Sequence, residues 1–122
     1  MPRILVIDDE EPVRTMMRQM LEKVGYEVVE APDGDVGIRL LCDHLADLII
    51  TDLFMPRKEG IETMLEVRKH FPQVKIIAMS GGGRTGKLDF LPMATSFGAL
   101  RTLAKPFERR ELLEAVREVL GQ

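Results

Sequence analysis

Apolar residues in this chain fall into two kinds of pattern that take turns along its length. Short continuous runs come at Ile4-Leu5-Val6-Ile7, Val28-Val29, Leu48-Ile49-Ile50, Val74 to Met79 and Leu100 to Ala104. Runs of this length, β-branched at several positions, predict strands, and the most apolar of them predict strands buried on both faces. Between them the spacing changes to three or four. Val13, Met16, Met17, Met20, Leu21 and Val24 predict one helical stripe, with the methionines packing in the core. Val36, Leu40 and Leu41 predict a second helix, Ile61, Met64, Leu65 and Val67 a third, and Leu112, Ala115, Val116 and Val119 the last. Another helix is expected near Asp89 to Phe97, where Pro92 suits only a first turn or a kink.

Punctuation agrees with this division. Pro12 sits where a first helical turn tolerates it, Gly25 ends the first helix, and Pro72 closes the third. Asp33-Gly34 turns the chain into the second helix, where Gly37 permits close approach to the sheet. Strand and helix therefore alternate five times, which predicts one parallel sheet covered on both faces. The first, third and fourth strands are mostly apolar and belong in the centre. The second carries Glu27 and Glu30 and the fifth Arg101 and Thr102, so both belong at the edges. Right-handed crossovers then give the order 2-1-3-4-5, a flavodoxin-like (βα)5 doubly wound α/β fold.

At 122 residues the chain reads as a single domain, 1–122, with no effector domain, linker or repeat. It is 45% hydrophobic and 30% charged, and its net charge of -3 gives no reason to expect nucleic acid as a partner. Cys42 has no partner for an internal disulfide and reads as a buried small hydrophobe on a helix, in keeping with a reducing compartment. His44 and His70 lack ligand-type neighbours at metal spacing and read as structural or surface residues. No signal peptide or spanning apolar run is evident, so a cytoplasmic location without membrane contact is expected.

In the expected sheet a crevice lies outside the carboxyl ends of the first and third strands. Asp8, Asp9 and Asp52 would meet there, with Ser80 and Lys105 entering from the fourth and fifth strands. Singly, each has an ordinary explanation: Asp8-Asp9 as a helix cap, Asp52 as a loop residue, Lys105-Pro106 as a turn. Together they bring polar groups from four strands to one edge. Like charges raise one another's pKa, and a divalent cation relieves that conflict; an all-oxygen site of this kind suits Mg²⁺. A carboxylate nucleophile, a metal, a lysine and a hydroxyl are the parts needed for phosphoryl transfer onto Asp.

Asp8-Asp9, Asp52 with Met55-Pro56 and Gly60, Ser80-Gly81 and Lys105-Pro106-Phe107 resemble the receiver domain of bacterial two-component response regulators. The resemblance covers essentially the whole chain. It implies Asp52 as phosphoacceptor, fed by a histidine kinase or histidine phosphotransfer protein, and output through a downstream protein target. It further implies Mg²⁺ on Asp9, Asp52 and the backbone carbonyl of Phe54, Asp8 acting mainly through water, and Ser80 and Lys105 contacting the phosphoryl group. Such a chain is a phosphoacceptor rather than an enzyme acting on a separate metabolite, and its contact face would be built from the fourth helix, fifth strand and fifth helix. One departure matters: Thr102 stands where receivers carry a switch aromatic, which favours a phosphoryl shuttle.

Three rivals share part of this pattern. A Mg²⁺-dependent phosphohydrolase normally wants a second Asp two residues after its nucleophile, where this chain has Phe54. A receiver-like binding module would have no use for Asp9, Asp52, Ser80 and Lys105. Gly81-Gly82-Gly83-Arg84-Thr85-Gly86-Lys87 nearly completes a phosphate-binding loop, but Leu88 stands where a Ser or Thr must hold Mg²⁺. A glycine-rich connection is the better reading of that segment.

Overall fold

The computed structural model describes residues 2–53, 60–80 and 95–121. Its strands are β1 (Arg3–Ile7), β2 (Glu27–Ala31), β3 (Leu48–Asp52), β4 (Lys75–Ser80) and β5 (Arg101–Ala104). Four helices are described: α1 (Glu11–Lys23), α2 (Gly34–Asp43), α3 (Gly60–His70) and α4 (Arg109–Leu120). The strands pair in parallel in the order β2-β1-β3-β4-β5, as the apolar centre and charged edges predict.

Alternation along each central strand splits the core into two layers. Ile4, Val6, Leu48, Ile50, Ile77 and Met79 point to one face, where α1 adds Met17 and Leu21 and α4 adds Leu112, Ala115, Val116 and Val119. Leu5, Ile7, Ile49, Ile76 and Ala78 point to the other, against Leu41 of α2 and Met64 and Val67 of α3. The close approach expected at Gly37 is real: a Cβ there would lie 2.5 Å from the Ile7 side chain.

Three expectations need correction. Cys42 is exposed, because Leu41 holds the buried face of α2 and the next residue turns about 100° away. Met16 and Val24 are exposed by 37% and 48%: Met17 and Leu21 are buried against the sheet with Val13 and Met20 packed beside them, Met16 turns away from that stripe, and Val24 is the C-cap beyond the helix. Leu65 likewise faces outward from α3. His44 and His70 are surface residues. Most of the helix expected over Asp89 to Phe97, the glycine-rich stretch 81–87, Phe54, Met55 and Pro56 fall outside the described residues.

Candidate functional site

The sheet register delivers the site. Ile7 pairs with Thr51, Asp52 with Met79 and Ser80 with Ala104, so these four strands end nearly level. Asp8 follows β1, Asp52 and Ser80 close β3 and β4, and Lys105 follows β5. Asp8 is fully buried, while Asp52 and Ser80 are exposed by only 6% and 5%. Carboxylates at that depth need compensation.

Lys105 supplies it. Its Nζ donates to Asp8 Oδ2 at 2.6 Å and to Asp52 Oδ2 at 3.0 Å, and lies 3.7 Å from Glu10 Oε1. Burial is the largest single influence on this ammonium and pulls its pKa down. The hydrogen bonds and charges of Asp8 and Asp52 together outweigh that pull and leave it above the ordinary lysine value of 10.5. The stem is anchored as well, because the Lys105 N–H donates to the Ser80 carbonyl at 2.7 Å.

Asp8 is held from the other side. Its Oδ1 accepts from the Glu10 N–H at 2.9 Å, its own N–H donates to the Ala31 carbonyl at 3.1 Å, and its carbonyl accepts from Arg14 Nη1 at 2.7 Å. The Asp8 carboxylate therefore fixes the turn before α1 instead of capping that helix, whose N-cap is Glu10. Arg14 also meets Glu30 of β2, tying the end of β1 to α1 and its neighbouring strand.

Among the described residues, carboxylate oxygens of Asp8, Asp9 and Glu10 lie within 4.8 Å of one another. Asp9 and Glu10 are exposed, and Asp52 joins the group through Lys105. Three of these four carboxylates, all but Asp9, lie within 4 Å of the Lys105 ammonium, and every candidate ligand is an oxygen. That excess of hard negative donors fits a divalent cation of the Mg²⁺ type. Two contributors were absent from the expected set. Glu10 was visible as the third acid of the run after β1; Arg14 carries no sequence signal, since its role depends on α1 packing beside β2.

Close approach completes the frame on the Asp52 side. A Cβ at Gly60 would collide with the Asp52 carbonyl oxygen and the Leu53 Cα, so only glycine lets α3 begin against the end of β3. The Gly60 N–H donates to the Leu53 carbonyl at 3.0 Å. Thr102 is half-buried in β5, paired with Ala78.

Residues 4–117 match the family model described as response regulator receiver domain. The chain is 34% identical to the Bacillus subtilis chemotaxis protein CheY over 98% of each chain. It is 34% identical to the Escherichia coli transcriptional regulatory protein CpxR, over 98% of this chain but 50% of that protein, so it spans about half of CpxR's length. Among solved structures, the Thermotoga maritima response regulator TrrA, crystallised in complex with Mg(2+)-BeF, superposes with a TM-score of 0.85 at 31% identity, covering 98% of this chain and 99% of that one.

Proposed function

The chain belongs to the response regulator receiver domain family, and from that premise we propose that it accepts a phosphoryl group on Asp52. The observation that carries the reading is the Lys105 bridge between the two buried carboxylates, Asp8 and Asp52, at the carboxyl ends of adjacent strands. A carboxylate oxygen of Asp52 attacks the phosphorus of a phosphohistidine. The P–N bond breaks, the imidazole leaves with its electron pair, and an acyl phosphate forms on Asp52.

This chain's residues divide the work. Burial strips water from the Asp52 carboxylate, and Lys105 holds it in place. The same ammonium, already 3.0 Å from Asp52 Oδ2, pairs with a phosphoryl oxygen once one is present. The Ser80 hydroxyl, one strand away, donates to another. Asp9, with Asp8 and Asp52, would hold Mg²⁺, and Glu10 stands beside them; the Phe54 carbonyl is the remaining expected ligand. When bound, the cation neutralises charge on the phosphoryl oxygens.

The phosphodonor is a histidine kinase or histidine phosphotransfer protein, and the output goes to a downstream protein target. Thr102 in β5 supports a relay, in which the phosphoryl group passes onward, over an aromatic-gated switch. Phosphorylation by a small phosphodonor should require Mg²⁺ and stop on chelation. Asp9→Asn should weaken Mg²⁺ binding by calorimetry by about tenfold or more while leaving the fold intact. Full phosphorylation in excess chelator would contradict the proposal.

A further inference from the structure

Away from the carboxylate site, a cleft of about 450 Å³ opens between the end of α1, the start of β2 and α4. Its lining is Val24, Tyr26, Arg109, Arg110, Leu113 and Arg117. Arg109, Leu113 and Arg117 recur every four residues, which puts them in one row along α4. Val24 is 48% exposed and Leu113 half-buried, so apolar surface lies open between guanidinium groups.

Those three arginines are unlike others in the chain. Arg3, Arg14, Arg18 and Arg101 each pair with a glutamate. Arg109, Arg110 and Arg117 make no salt bridge with a described residue, and all three are exposed. The acids flanking Arg109 and Arg110, Glu108 and Glu111, are occupied in a capping box with the backbone of α4, and Glu118, beside Arg117, pairs with Arg101 instead. Arg109 and Arg110 also stand in the first turn, where the helix dipole disfavours cations. An unpaired basic cluster, against a local electrostatic preference and in a chain of net charge -3, calls for negative charge from outside.

We propose that this cleft docks an acidic protein segment that places an apolar side chain on the Val24–Tyr26–Leu113 floor and carboxylates against Arg109, Arg110 and Arg117. The apolar floor and compact charge favour a peptide over nucleic acid, whose regularly spaced phosphates ask for an extended basic track. The surface is separate from Asp52, so the inference stands whether or not phosphorylation does.

The test is selection from a random peptide display library on the whole chain, followed by binding measurements on the selected peptides. The expected peptides carry Asp or Glu on both sides of a Leu, Phe or Met. Their affinity should fall by about tenfold or more for the combined Arg109→Glu, Arg110→Glu and Arg117→Glu variant, and again for Val24→Ser, which leaves the core untouched. Both variants should keep the wild-type circular dichroism and Asp52 phosphorylation. Peptides without acidic enrichment, equal binding to the charge-reversed variant, no selected binders, or tighter arginine-dependent binding of a short DNA duplex would each overturn the proposal.

Discussion

At the amino ends of the strands, Arg3 reaches Glu27 at 2.8 Å while its N–H donates to Asp47 at 2.7 Å, and Lys75 donates to the Val119 carbonyl at 3.0 Å. At the carboxyl ends, Lys105 stands between Asp8 and Asp52, neither of them more than 6% exposed. The same sheet thus carries charge in two regimes. Exposed pairs cost little to form and contribute little, because water competes for both partners. Buried charges are expensive to desolvate, and apolar residues of similar volume would serve stability as well or better. The first set stitches neighbouring elements together. The second fits the proposed phosphoryl transfer, which needs a carboxylate, an ammonium and a hydroxyl at one edge.

Substitutions at the two ends should separate these regimes by size. Lys105→Met leaves Asp8 buried without its cation and should cost about 3 kcal/mol in urea unfolding near neutral pH. The pH dependence has a definite sign. Because the folded pKa of Lys105 lies above its unfolded value, its contribution is complete below about pH 10.5 and fades as pH rises through the higher folded value. The gap between wild type and Lys105→Met should therefore narrow only in strong alkali; a gap that closes between pH 7 and 9 would contradict the bridge.

Gly60→Ala comes next. Its Cβ would meet backbone at Asp52 and Leu53 rather than a movable side chain, so the end of β3 or the start of α3 must shift. A loss of about 2 kcal/mol is expected, with slower phosphorylation of Asp52. An unchanged rate would mean that the position of β3 does not limit the acceptor. The smallest effect belongs to the opposite end: Arg3→Ala should cost less than about 1 kcal/mol and leave phosphorylation as it was.

Much of this contrast is legible in the amino-acid sequence. Ile4 to Ile7 and Leu48 to Ile50 announce central strands, and Glu27, Glu30 and Arg101 mark edges; together they yield the order that places Asp8, Asp52, Ser80 and Lys105 at one rim. What escaped the sequence depends on how neighbouring elements meet. A spacing of three or four predicts Met16 and Val24 inside because it defines an apolar face but not its width, which Met17 and Leu21 occupy; Cys42 reads as buried from residue type alone, and Leu41 holds that face instead. Arg14 reaches the Asp8 carbonyl only because α1 lies beside β2, where Glu30 steadies its guanidinium. The arginine row of α4 reads locally as an ordinary charged helix surface; its lack of partners appears only once the surrounding acids are placed.

The most direct measurement is the intact mass of the protein after incubation with Mg²⁺ and acetyl phosphate, with Asp52→Asn treated in parallel. The wild type alone should gain one phosphoryl group, labile to hydroxylamine as an acyl phosphate is. Equal gain by Asp52→Asn, or no gain by a folded wild-type protein that binds Mg²⁺ with either acetyl phosphate or a phosphohistidine donor, would contradict it.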